Sequence, residues 1–159
     1  MKEILELLQN DSRLTAEQIA TMVNMEAAEV RARIKKLEEN KTIIKYHTLI
    51  NWEKAGEEIV TALIEVKVTP QREVGFDAVA ERIYRFPEVR SVYLMSGAYD
   101  LAVIIEGRTM KEVALFVAMR LATIEYVLST ATHFILKKYK EEGVILEDKE
   151  EDRRLVVSP

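Results

Sequence analysis

Apolar residues recur at helical spacing through the first part of the chain, and after residue 42 the period shifts toward alternation. Ile4, Leu5 and Leu8 share one face of a first helix that ends near "QNDSR". Thr15 followed by Gln18 predicts a capping box that opens a second helix, in which the hydroxyl caps a backbone N–H and the amide reaches back. Ile19, Met22 and Val23 are its expected buried positions. Asn24 tolerates positive φ and so permits a sharp turn. Val30, Ile34 and Leu37 then mark the buried stripe of a third helix, and two helices joined by so short a turn make a helix-turn-helix candidate.

Beyond this point "TIIKYHTLINW" suits a short strand or a linker. In "VTALIEVKVTP" Val60, Ala62, Ile64, Val66 and Val68 face one way, while Thr61, Glu65, Lys67 and Thr69 face the other. That is a half-buried strand, stopped by Pro70. "VGFDAVAERIYRF" reads as a helix with Phe76, Val79 and Ile83 inward, and Pro87 blocks its continuation. Two strands, "VRSVYLM" and "LAVIIEG", flank "SGAYD", where Gly97 can supply a turn. A helix over about 110–124 and a long strand in "YVLSTATHFILKK" complete a β-α-β-β-α-β order. The fold class is therefore α+β: a helix-turn-helix unit followed by a ferredoxin-like sheet with helices on one side. The expected boundaries are 1–45 for the first domain, 46–58 for a linker, 59–139 for the second domain and 140–159 for an extension. In the extension, "EEGVILEDKEEDRRLVVSP" is expected to form a solvated hairpin or a loose segment. The sheet's other face is left open, with Leu63, Val92 or Leu101 and the last strand as its expected apolar groups, so burial against a second subunit is expected.

Composition narrows the function classes. At 159 residues with 48% apolar and 31% charged residues, the chain is long enough for one ordinary domain or two small ones. A net charge of -4 argues against a generally basic surface but permits a local basic patch. With no cysteine, disulfides, thiolate catalysis and cysteine-ligated zinc are excluded. The longest charge-free run, "YVLSTATHFIL", is too short for a membrane span, and the charged start "MKEILELLQND" does not suit a signal peptide. A cytoplasmic protein with no membrane partner is the expectation.

Candidate chemistry is concentrated on the third helix. On a wheel, Ala28 and Ala32 lie opposite the buried stripe, with Arg31 and Lys35 on one side and Lys36 on the other. Small exposed residues let a helix approach a groove floor, and flanking cations meet phosphates. Glu26 and Glu29 lie at the positive end of the helix dipole, and carboxylates there can also accept from cytosine amino groups. Periodicity alone leaves a DNA-reading helix and an ordinary amphipathic helix both open. Only two histidines occur, His47 and His133, and neither a Gly-rich phosphate loop nor a His-Glu-x-x-His motif is present. No metal site, cofactor or catalytic residue is expected.

Read as a whole, the chain resembles the Lrp/AsnC (feast/famine) family of transcription regulators. The resemblance rests on the order and spacing of "ILELLQNDSRLTAEQIATMVNM", "EVRARIKKLEENKTIIKYHTLIN", "FPEVRSVYLMSGAYDLAVIIEG" and "STATHFILKKYK". It implies that the third helix enters the major groove of double-stranded DNA and leads into a wing. Glu26, Ala27, Ala28, Arg31, Ala32, Lys35 and Lys36 are then the candidate DNA contacts. It also implies an effector pocket between sensing domains at a subunit interface that commonly takes an amino acid. By matching position its candidates are Leu94, Gly97, Tyr99, Asp100, Met110, Thr130, Thr132, His133, Phe134 and Ile135. A homo-oligomer, a dimer or a ring of dimers up to an octamer, is implied as well. The chain departs from the family pattern at Asn24 and Lys41, where glycines are usual, at Glu26, where a serine is usual, and at Ala98, which replaces an acidic residue. Two other readings share this architecture: a tetrapyrrole decarboxylase-like enzyme, and a sensing oligomer that no longer binds DNA.

Overall fold

The computed structural model describes residues 1–69 and 75–146. Two units make up the chain, Met1–Ile50 and Asn51–Pro159.

The first unit contains α1 (Lys2–Asn10), α2 (Ala16–Val23) and α3 (Ala27–Glu39). Ile4, Leu8, Ile19, Ala20 and Val30 are buried together, with Leu14, Val23, Ile34 and Ile43 packed against them. The capping box is formed: Gln18 N–H donates to Thr15 Oγ1 at 3.3 Å, and Thr15 N–H donates to Gln18 Oε1 at 2.8 Å. Asn24 has φ 51° and ψ 53°, the left-handed conformation that turns the chain from α2 into α3. Met22 departs from expectation, being 59% exposed, while Ala20 is buried in its place. At about 100° per residue, the buried arc of α2 centres on Ile19, Val23 and Ala20 and leaves Met22 beyond its edge. Residues 44–50 take no regular structure, so no strand forms in this stretch.

In the second unit β1 (Val60–Val68), β2 (Val89–Leu94), β3 (Leu101–Gly107) and β4 (Val127–Ile135) form one sheet in the order β2-β3-β1-β4. Every neighbouring pair is antiparallel. The helices are α4 (Gly75–Tyr84) and α5 (Met110–Phe116), the latter running on into a π-helical turn over Val117–Leu121. That turn ends the helix short of the expected 124. One sheet face and both helices enclose the core, in which Ala62, Ile64, Val66, Val79, Ile83, Leu101, Val103, Ile105, Val113 and Leu121 are buried.

Register decides which residues belong to that core. Leu101 pairs with Val66 and Val92 with Val103, which places both on the helix-covered face and corrects their expected position on the open one. A side chain shares the face of its cross-strand partner, and Val66 and Val103 are core residues. Leu63 does lie on the open face, paired with Ile104 and His133. Thr61, expected outward and exposed, is only 4% exposed, because the longer Glu106 and Ile135 flank it on either side.

After β4 a short hairpin joins β5 (Lys140–Glu141) to β6 (Val144–Ile145). Glu142 and Gly143, at φ 48° and 84°, make the two-residue loop with both central residues at positive φ that suits the twist of a hairpin. The start of the extension is thus a hairpin. Pro70 and the apolar run at 155–157 lie outside the described residues.

Candidate functional site

On α3 the phase read from the sequence is the one observed. Val30 and Leu37 are buried and Ile34 packs on the core, while Ala28, Arg31, Ala32, Lys35 and Lys36 are exposed. Ala27 differs from the rest of the candidate set, because it is half-buried against the core of the unit. Glu26 is the N-cap residue of α3 but forms no side-chain cap bond, which leaves its carboxylate exposed at the helix start. The cations are largely partnered within the unit. Arg33 donates to Glu29 at 2.6 Å, Lys35 lies 3.8 Å from Glu39, and Arg31 donates to Glu17 of α2. Lys36 has no ion pair among the described residues. Neither Glu17 nor Arg33 belonged to the sequence candidates. Fourteen residues separate Glu17 from Arg31, and only the packing of α2 on α3 makes them neighbours. At the end of α3, Lys41 takes φ 58°, the conformation in which a glycine carries no steric cost.

The candidate effector residues are spread over the second unit. Leu94, Gly97, Tyr99 and Asp100 cluster at the β2–β3 turn, with Thr130 at the same end of the sheet through its pairing with Val66. Met110 opens α5 just beyond the other end of β3. Six residues of strand, about 20 Å, separate Leu101 from Gly107, so Leu94 and Met110 cannot line one small cavity within a single copy. The last strand is divided as well. Thr130, Thr132 and Phe134 pair with Val66, Ile64 and Ala62 and share their core-facing side, whereas His133 pairs with Leu63 on the open face beside Ile135's side of the strand. There His133 Nε2 lies 3.3 Å from Glu65 Oε1.

Asp100 has a local task. The pairing of β1 with β3 stops at Val66 and Leu101, so Val68 extends past the first residue of β3. Asp100 Oδ2 accepts from the Val68 N–H at 2.7 Å and continues the ladder by one bond. Its backbone completes the turn, with Asp100 N–H donating to Val66 O at 3.0 Å and Met95 N–H to Asp100 O at 2.8 Å. The other carboxylate oxygen has no hydrogen bond to the described residues. Gly97 does not take positive φ, and a Cβ built on it meets nothing within 4 Å, so the turn backbone does not demand a glycine there. Near Met110, Thr109 caps α5 by accepting from Glu112 N–H at 3.1 Å.

Similarity to known proteins follows this division of the chain. Residues 2–38 match the AsnC-type helix-turn-helix domain, and residues 61–145 match the Lrp/AsnC ligand binding domain. The HTH-type transcriptional regulator YugG of Bacillus subtilis is 57% identical over 99% of this chain and 95% of its own. Among solved structures, a transcriptional regulator from Neisseria meningitidis in complex with L-methionine superposes with a TM-score of 0.72 at 24% identity, covering 87% of this chain and 89% of the other. A feast or famine regulatory protein from Mycobacterium tuberculosis, also complexed with L-methionine, gives 0.73 at 20% identity, covering 88% and 92%. With both units matched in order and a relative this similar along its whole length, the chain belongs to the Lrp/AsnC family of transcriptional regulators, which couple an AsnC-type helix-turn-helix to a ligand-binding domain.

Proposed function

We propose that this regulator works as a cytoplasmic homo-oligomer, reads duplex DNA with the exposed face of α3, and changes its assembly when an amino acid binds between ligand-binding units of two copies. The observation that carries the DNA part is the exposure of Ala28 and Ala32 between Arg31, Lys35 and Lys36, which are exposed as well. Small side chains admit the helix to the groove floor, and the cations reach the phosphates on its walls.

The effector part is supported by the scatter of its candidates. The group around Asp100 and the group around Met110 lie at opposite ends of one sheet, so a site using both takes them from different copies. An amino acid is supported by the L-methionine complexes of the two similar structures. The open face with Leu63, Ile104 and Tyr93 offers a second copy an apolar surface. Since DNA contacts and effector contacts lie in different units, the effector acts through differential affinity for two assembly states.

The test uses the full chain and a labelled duplex from its own promoter, followed by fluorescence anisotropy over a salt series. Replacing Arg31, Lys35 and Lys36 together by alanine should weaken binding and flatten its salt dependence by up to about three charges per helix. A folded triple variant with unchanged affinity and slope would contradict the DNA face. Calorimetry against a panel of amino acids, with light scattering on the same samples, tests the rest. A monomer at micromolar concentration, or a panel in which nothing binds, would count against it.

A further inference from the structure

The pairs that hold the cations of α3 are not alike. Arg33–Glu29 and Lys35–Glu39 join residues four apart on one helix, the ordinary spacing of solvated pairs. Arg31 is held from a different helix, by Glu17 of α2, and it is one of the three cations flanking Ala28 and Ala32. Both partners are more than half exposed, at 58% and 62%, so the pair lies where a DNA backbone has access. A carboxylate presents a guanidinium with the same two-oxygen acceptor that a phosphate presents. Residues 1–50 carry eight acidic and eight basic side chains, so the general attraction of this unit for DNA is small and rests on the local patch. Occupying one of three flanking cations therefore removes a large share of it. The Glu17 carboxyl is held below its ordinary range, first by its own backbone N–H and further by Thr15 and Arg31, so it stays charged at neutral pH.

We infer that Glu17 is an internal phosphate mimic: it occupies Arg31 in the free protein, and a DNA phosphate must displace it before Arg31 can bind the backbone. The exchange lowers affinity for duplexes of any sequence, because phosphate contacts are made to all of them. It also lowers the net release of counterions, since the displaced carboxylate needs a cation of its own. Glu17 thus sets how far the regulator must gain from base contacts and from several copies acting together before it stays on DNA. This rests on the reading of α3 as the DNA face.

The experiment measures full-length Glu17→Gln on a labelled random-sequence duplex across a salt series, with a melting curve to show that α2 is intact. Affinity should rise roughly two- to five-fold for each helix engaged, the range of an exposed ion pair. The salt slope should steepen by about one charge per helix. Glu3→Gln, which removes the same charge from an exposed site on α1 with no ion pair among the described residues, should leave both nearly unchanged. In an Arg31→Ala background the effect of Glu17→Gln should shrink to that of the control. Unchanged or weakened binding in Glu17→Gln overturns the inference. So does an effect undiminished without Arg31, because Glu17 would then repel DNA directly. Arg31→Ala alone separates the two levels: if it weakens binding while Glu17→Gln does nothing, only the competitor fails, and if neither matters, the DNA face itself fails.

Discussion

Replacing Asp100 by alanine should destabilise the ligand-binding unit by about 2 kcal/mol, the ordinary worth of a hydrogen bond to a charged group. The structure places this cost at one atom. Val68 is 5% exposed, its N–H points past the end of β3, and Asp100 Oδ2 at 2.7 Å is the acceptor that meets it. Alanine leaves that N–H without a partner at a site too covered for water to substitute freely. For a unit of this size the loss corresponds to a fall of roughly 8 °C in Tm. Asp100→Asn keeps a carbonyl acceptor in the same place and removes only the charge, so it should cost about half as much. A thermal melt of the full chain, together with amide hydrogen exchange read at Val68, checks both variants. Alanine should expose the Val68 amide to exchange and asparagine should largely protect it. The pair also separates scaffold from site: if Asp100 receives an effector's ammonium group through its remaining oxygen, asparagine should lose effector binding while keeping the fold. An alanine variant that melts like the parent and protects Val68 equally well would refute the assignment.

Further outcomes follow from single positions. Lys41→Gly should stabilise the helical unit by about 0.5–1 kcal/mol, since Lys41 is held at φ 58° after α3, and a urea titration followed by circular dichroism reads the shift. Gly107→Ala should destabilise the second unit by about 1–3 kcal/mol, because the new Cβ would stand 2.9 Å from Val113 Cγ2 and Val113 is 1% exposed; chemical denaturation measures it. Ala32→Leu should weaken DNA binding at least several-fold while changing Tm by no more than about 4 °C, because Ala32 is exposed; a larger loss of stability would show that the residue supports the fold and not the interface.

Local pattern was enough for much of this protein. The capping box at Thr15, the left-handed turn at Asn24, the stripe of Val30, Ile34 and Leu37 and the alternation from Val60 to Val68 are all contacts between near neighbours in sequence, and each is present. Their order also conveyed the β-α-β-β-α-β topology, because sheet and helix periods are read over short windows. What depended on tertiary structure was every property set by a distant partner. Val92 and Leu101 went to the core face because of their register against Val103 and Val66. Met22 was left outside because Ala20, and not Met22, completes the packed arc of α2. Asp100 became the last rung of the ladder by accepting from Val68, 32 residues earlier, and Glu17 came to hold Arg31 across two helices. Periodicity specifies which side of an element is buried, but pairing between elements depends on how their surfaces meet in space, and sequence spacing carries no direct record of that.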